Sequence, residues 1–157
     1  MQKITTFLWY DNQAEEAAEF YTTVFDNSRI VEVTRYGSAG PGEPGSVMTV
    51  TFELAGQQFI ALNGGPQFTF NEAISLSVEC ESQEEVDTLW EKLTADGGEP
   101  GPCGWLKDRY GLSWQIEPRR LNDLLRDPDP VKSQRVMKAM LGMGKIDIKG
   151  LEDAYQG

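Results

Sequence analysis

The stretch AISLSVECESQEEVDTLWEKLTADGG, Ala73–Gly98, decides the fold, because it repeats an arrangement that the chain has already used once. Its first eight residues alternate between apolar and polar side chains, which predicts a β-strand over Ala73–Cys80. Ser82 and Glu85 then have the spacing of a capping box, which predicts the start of a helix. The apolar face of that helix recurs at helical spacing and consists of Val86, Leu89, Trp90 and Leu93.

The earlier copy is ITTFLWYDNQAEEAAEFYTTVF, Ile4–Phe25. It predicts a strand over Ile4–Tyr10, an N-cap at Asn12 with Glu15 as its acidic partner, and a second amphipathic helix. Three further strands follow each helix, so the chain reads as two βαβββ units in tandem. These strands are predicted over Ile30–Tyr36, Val47–Leu54 and Gln57–Leu62, and then near Gly98–Cys103, Gly104–Lys107 and Leu112–Glu117.

The duplicated part predicts one domain over residues 1–118, with units at about 1–65 and 66–118, followed by a helical extension over 119–157. In the extension, Val136, Met137, Met140, Leu141 and Met143 form an apolar face. This tail either packs on the outside of the sheets or reaches across a dimer interface, where methionines adapt to irregular surfaces.

Composition excludes several classes of partner. The 157 residues include 14 basic and 25 acidic side chains, a net charge of −11 that repels nucleic acid and anionic lipid surfaces. No segment has the roughly 18–20 apolar residues of a membrane span, and the N-terminus lacks the pattern of a signal peptide. We therefore expect a cytoplasmic protein whose Cys80 and Cys103 are reduced thiols.

A loop rich in glycine and proline, Gly37–Ser46, separates two of the predicted strands. Its glycines and prolines sustain neither a helix nor a strand ladder. Its length suits a mobile flap over a pocket, and it equally suits a disordered hairpin tip.

Three runs in the sequence are similar to the PhnB-like branch of the vicinal-oxygen-chelate superfamily, which shares the glyoxalase and bleomycin-resistance fold. They are FLWYDNQAEEAAEFY, the run from Gly64 to Leu93, and especially CGWLKDRYGLSWQIEP; the tail RVMKAMLGMGKIDIKGLEDAY is also similar. The resemblance implies an α+β fold in which tandem βαβββ units form a half-barrel of curved, mixed sheets with a helical tail. It also implies a homodimer and a small-molecule ligand.

Metal-dependent members of this superfamily hold a divalent ion with two side chains from each unit. Carried over by strand position, these ligands fall near Thr5 or Thr6, Ala61, Ala73 and Gln115, and only Gln115 is a plausible ligand. Zinc, iron and manganese favour imidazole, thiolate or carboxylate, and the chain has no histidine. We therefore expect no metal and no cofactor.

The resemblance also brings the label 3-demethylubiquinone-9 3-methyltransferase-like. Methyl transfer from S-adenosylmethionine usually requires a glycine-rich turn between a parallel strand and a helix. Neither Gly37–Ser46 nor Gly64–Pro66 has that context, so the sequence offers no support for the activity.

A ligand cleft lined by aromatic rings follows from the half-barrel, because small-molecule sites are apolar concavities with a few polar groups. For any one of these rings, a place in the core is the commoner role than contact with a ligand. Together the set predicts a small apolar or aromatic ligand, and the alternative is an enzyme acting on a quinone-like substrate. The predicted cleft residues are Trp9, Phe52, Asn63, Phe68, Phe70, Asn71, Trp105, Trp114 and Gln115.

Three residues near the second unit's last strands are candidates for catalysis. Cys103 is a potential nucleophile, and Lys107 is a cation that could favour its thiolate. Asp108 is the third candidate, but with Gly111 it also forms the pattern of a polar hairpin turn. For Cys103 the simpler interpretation is packing.

Overall fold

Residues 2–157, which the computed structural model describes, form two open four-stranded mixed sheets and five helices. The predicted α+β fold class, with tandem βαβββ units and a helical tail, is confirmed. Two compact units divide the chain between Phe70 and Asn71, and the tail belongs to the second.

The first unit contains β1 (Thr6–Tyr10), α1 (Ala14–Val24), β2 (Arg29–Arg35), β3 (Val47–Leu54) and β4 (Gln57–Asn63). Its sheet has the order β1-β4-β3-β2, in which only the β1–β4 pair is parallel. One face of the sheet packs against α1. The strand residues that are buried there alternate along the strands and are Leu8, Tyr10, Val50, Phe52, Leu54, Phe59 and Ala61.

The start of α1 differs from the prediction. Gln13 occupies the N-cap position and makes no side-chain cap bond, so the assignment of Asn12 as the cap is wrong. The amide of Ala14 instead donates to Oδ1 of Asn63, at 2.8 Å, from the end of β4. The helix start is therefore satisfied by a residue 49 positions away, a contact that local spacing does not reveal.

The second unit repeats the order with β5 (Ser75–Cys80), α2 (Gln83–Thr94), β6 (Glu99–Pro100), β7 (Trp105–Lys107) and β8 (Ser113–Pro118). Its sheet has the order β5-β8-β7-β6, again with one parallel pair, β5–β8. The matching strand orders show that the two halves share one topology.

The predicted cap of α2 is confirmed. The side chain of Ser82 accepts a hydrogen bond from the amide of Glu85, at 3.2 Å. The carboxylate of Glu85 reaches back to the amide of Glu81, at 2.9 Å. Two backbone donors at the start of the helix are thereby satisfied.

The tail forms α3 (Arg119–Leu125), α4 (Pro130–Leu141) and α5 (Ile148–Gln156). Its apolar residues pack against one another in a cluster. Packing on the outside of the sheets and a role at a dimer interface both stay predictions. The buried members of the cluster are Leu121, Leu124, Val136, Ile146 and Leu151.

None of the helices in residues 2–157 combines the length and the apolar run that crossing a membrane requires.

Candidate functional site

A pocket of about 400 Å³ opens in the second unit, beside β6, β7 and the turn that joins them. Its volume lies within the range typical of small-molecule sites. Cys103, Trp105 and Lys107, all proposed from the sequence, border this one pocket. The other bordering residues are Glu72, Glu99, Pro100, Gly101, Pro102, Leu106 and Ser113.

The turn that forms the rim of the pocket is held by the tail. Cys103 has a φ of +58° and Gly104 a φ of +82°, so the chain passes through two successive left-handed residues. The amide of Cys103 donates to the carbonyl of Met143, at 2.7 Å, and that of Gly104 to the carbonyl of Gly144, at 2.8 Å. Tertiary bonds therefore stabilise a conformation that is costly for a residue with a side chain.

Ser113 is the polar group that sequence reasoning missed. It lies at the start of β8, is 1% exposed, and borders the pocket. Within residues 2–157, its hydroxyl has no hydrogen-bond partner. A buried hydroxyl without a partner costs free energy, and a ligand atom that reaches this oxygen from the pocket would satisfy it as donor or acceptor. The only signal in the sequence was its place among the polar alternate residues of β8.

Lys107 and Glu72 form an ion pair at the pocket. The hydrogen bond and charge of Glu72 raise the pKa of Lys107, and the nearby charge of Glu99 acts in the same direction. The hydrogen bond from Lys107 lowers the pKa of Glu72. Lys107 therefore remains an ammonium at neutral pH and is unsuited to act as a general base.

The remaining predicted residues of the second unit are engaged elsewhere. Trp114 is 2% exposed on the side of the sheet that faces α2, so it belongs to the core instead of a ligand surface. The amide nitrogen of Gln115 donates to the hydroxyl of Ser75, at 2.8 Å. Oδ1 of Asn71 accepts from the amide of Ala73, at 2.9 Å.

Asp108 is buried in a hairpin and does not border the pocket. Its carboxylate accepts from the amides of Tyr110, at 2.8 Å, and Leu112, at 3.1 Å, and from the indole nitrogen of Trp114, at 2.9 Å. The amide of Gly111 closes the bend on the carbonyl of Asp108. The turn interpretation therefore accounts for this residue, and a catalytic role does not.

In the first unit, Phe52 is fully buried beneath α1, stacked with its ring centroid 6.2 Å from that of Tyr21. It belongs to the core and presents no surface to a ligand, which corrects its assignment to the cleft. Trp9 instead donates its indole N–H to the carbonyl of Gly65, at 2.9 Å, and contacts the exposed ring of Phe68.

Two further cleft candidates in the first unit have structural partners. Phe70 meets the ring of Tyr10 edge-on, with centroids 5.2 Å apart. Asn63 accepts from Ala14 and donates to the carbonyl of Val47, at 3.1 Å. Its amide therefore joins the helix start to the sheet.

A second cavity, of about 470 Å³, lies within the first unit and is bordered by part of the glycine-rich loop. The loop folds over the ring of Tyr36, which leaves no room for a side chain at Gly40 or Gly42. The Tyr36 hydroxyl donates to the carbonyl of Asn63, at 2.5 Å. Asp11 and Glu15 give this cavity an acidic border.

The positions that carry metal ligands in the superfamily do not fit a metal here. Ala61 is fully buried on the side of the sheet that faces α1, and Ala73 precedes β5. Gln115 has Ser75 as its neighbour, and an amide with a hydroxyl competes poorly with water for zinc or iron. Across residues 2–157, no three Asp, Glu, Cys or His side chains are grouped as metal ligands.

The two cysteines differ in environment. Cys80 is fully buried, and burial, reinforced by the charge of Glu85, raises the pKa of its thiol to about 12. Cys103 is partly exposed at the pocket. Because the folded state holds the Cys80 proton more tightly, this group stabilises the fold below its unfolded pKa of about 8.5 and loses that contribution as pH rises towards 12.

We expect iodoacetamide at mildly alkaline pH to alkylate Cys103 in the folded protein and to spare Cys80, since only the thiolate reacts. Peptide mass spectrometry after a time course measures both sites. In denaturant, both thiols should react at similar rates. Equal rates in the folded protein would contradict the assigned burial of Cys80.

The family model described as 3-demethylubiquinone-9 3-methyltransferase matches residues 2–117 of the chain. Among solved structures, the chain is similar to the putative 3-demethylubiquinone-9 3-methyltransferase, PhnB protein, from Bacillus cereus. The two are 44% identical, with a TM-score of 0.66, over 74% of this chain and 99% of that one. No curated protein matches the chain.

Two more distant structures share the fold. Protein PA1353 from Pseudomonas aeruginosa is 17% identical, with a TM-score of 0.61, over 75% of this chain and 98% of that one. The genomically encoded fosfomycin resistance protein FosX from Listeria monocytogenes is 16% identical, with a TM-score of 0.52, over 75% of this chain and 93% of that one. At these identities the likeness concerns the fold alone.

Proposed function

The chain belongs to the PhnB-like family described as 3-demethylubiquinone-9 3-methyltransferase, in the vicinal-oxygen-chelate superfamily, and we propose that it binds a small molecule without a metal. The ligand has an apolar or aromatic body and one hydrogen-bonding group. It occupies the pocket bordered by Trp105 and Ser113.

The observation that carries this proposal is the hydroxyl of Ser113. A buried hydroxyl with no partner destabilises a fold by about 1–3 kcal/mol, and a ligand atom that bonds to it offsets this cost. The side chain of Trp105 supplies a flat apolar wall for the body of the ligand. The pocket thus combines an apolar surface with one polar group that fixes orientation.

Metal independence is supported by the chemistry of the side chains. Threonine, alanine and glutamine stand where the superfamily's metal ligands would, and histidine is absent from the sequence. The methyltransferase name finds little support in the fold, because each sheet has one parallel pair and the loop over Gly37–Ser46 joins antiparallel strands. That arrangement lacks the βαβ context in which a glycine-rich turn binds a nucleotide.

An alternative is an enzyme that uses Cys103 on a quinone-like substrate in the same pocket. The position of Cys103 at the pocket favours it. The ion pair of Lys107 with Glu72 weighs against it, because the paired ammonium neither accepts the thiol proton nor offers an uncompensated positive charge to a thiolate. Binding without turnover is therefore the preferred function.

The test uses benzamide and phenol as probes, with the ¹⁵N-labelled indole signal of Trp105 as the readout, assigned through Trp105→Phe. Both probes should shift this signal saturably, and metal-free protein prepared with a chelator should bind them equally well. Ser113→Ala should weaken binding about three- to tenfold, the range of one net hydrogen bond. Ser77→Ala, an exposed serine of β5, is the matched control.

The same Ser113→Ala variant should be as stable as the wild type or more so, by up to about 2 kcal/mol, because it removes a buried group without a partner. Thermal unfolding measures this directly. If neither probe shifts the Trp105 signal, the proposed site is wrong. If elemental analysis finds stoichiometric zinc, iron or manganese, metal independence is wrong.

A further inference from the structure

We propose that the second-unit pocket selects uncharged and cationic ligands and rejects anions, through a charge filter made of Glu72, Glu99 and Lys107. This inference rests on the proposed function, since it names the chemical class that the same pocket accepts. Phosphate esters, phosphonates and carboxylates are thereby excluded, and aromatic amides, phenols and aromatic amines are admitted.

Lys107 is already neutralised by a carboxylate. Its ammonium is paired with Glu72, and it faces Glu99 across the ladder between β6 and β7. An anionic ligand that binds Lys107 must share the ammonium with Glu72, whose carboxylate then lies beside the incoming negative charge. One cation shared by three anions is an unfavourable arrangement.

Two carboxylates and one ammonium are the ionised side chains that border the pocket, so its net charge is negative at neutral pH. The whole chain carries a net charge of −11, which adds to the same potential. Both the charge at the border of the pocket and the net charge of the whole chain therefore repel an anion and attract a cation.

Neutral and cationic head groups both find partners inside the pocket. A neutral amide or phenol finds the hydroxyl of Ser113, which both donates and accepts. A cationic head finds the carboxylate of Glu99, and its ring has Trp105 as an aromatic neighbour. No cation that is free of a carboxylate partner borders the pocket, among the residues that the structure describes, to receive an anionic head.

Three probes of one shape and different charge test the filter: benzamide, benzamidinium and benzoate. At millimolar concentration and low salt, benzamide and benzamidinium should shift the Trp105 indole signal, and benzoate should bind about tenfold more weakly than benzamide. Added salt should reduce the difference in affinity between benzamidinium and benzoate, because this difference is electrostatic in origin.

Variants separate the local filter from the charge of the whole chain. The double substitution Glu72→Gln with Glu99→Gln leaves Lys107 unpaired and should raise benzoate affinity about tenfold while weakening benzamidinium. Glu99→Gln alone should change the affinities for benzoate and benzamidinium in the same directions, but by smaller factors than the double variant. Glu84→Gln with Glu91→Gln, on exposed positions of α2, changes the net charge by the same amount as the double pocket variant. It should leave the order of the three probes' affinities unchanged.

The outcomes are distinguishable. If benzamide shifts Trp105 and benzoate binds as tightly, the charge filter is wrong and the binding function stands. If the α2 control variant changes the ranking as much as the pocket variant, the local filter is also wrong. If no probe shifts Trp105, the proposed function fails together with the filter.

Discussion

Replacing Phe52 by alanine should lower the free energy of unfolding by about 3–5 kcal/mol, a loss typical of a buried aromatic ring. The ring has no exposed surface and packs between Tyr21 of α1 and Phe59 of β4, with centroid separations of 6.2 Å and 5.7 Å. Its removal leaves a cavity that the sheet cannot fill. Denaturant unfolding followed by circular dichroism measures the change.

Phe68→Ala is the matched control, since the same substitution is made in the same unit at a ring that is 64% exposed. Its cost should stay near 1 kcal/mol, from the edge-on contact with Trp9. A small loss at Phe52, comparable to that at Phe68, would show that the first unit is not packed as described.

Asp108→Ala should destabilise the protein by about 3–5 kcal/mol, because three donors lose one buried acceptor. Two of these donors are backbone amides in the hairpin, and the third is the indole of Trp114, which lies in the core. Binding of benzamide to the fraction that remains folded should be unchanged, since Asp108 does not border the pocket.

Two other variants sharpen the interpretation of Asp108. Asp108→Asn keeps one acceptor oxygen and should cost less than alanine, about 1–3 kcal/mol. Asp96→Asn removes the charge of an exposed carboxylate that pairs with Arg109, at a left-handed position (φ +55°) that asparagine tolerates, and should cost at most about 1 kcal/mol. An Asp108→Ala protein of wild-type stability that no longer bound benzamide would overturn the structural role.

The fold was predictable because it depends on patterns that operate within a few residues. Alternation in β5, the stripe of α2 and the capping box at Ser82 all lie within one continuous stretch. The predicted N-cap at Asn12 is wrong for a physical reason: the amide of Ala14 donates to the side chain of Asn63 instead. A local cap motif can be outcompeted by a distant side chain that the fold brings closer.

The site was predictable only in part. Cys103, Trp105 and Lys107 were proposed because they are chemically conspicuous, and the structure brings them to one pocket. Phe52 and Trp114 were proposed on the same grounds and lie in the core. Residue type does not distinguish the two faces of a strand when both carry large rings. Ser113 was not predicted, because it differs from other serines only in having a buried hydroxyl without a hydrogen-bond partner. That property is visible only in the folded structure.

The sequence by itself determined the duplicated topology, the positions of most elements and the absence of histidine. These properties follow from the composition and from the periodicity of the apolar side chains, which depends only on residues close together in the sequence. The tertiary structure decided which face of each sheet the helix covers, which polar groups are satisfied and how Met143 and Gly144 hold the pocket's rim. Those outcomes depend on contacts between residues far apart in the chain, and they exist only after folding.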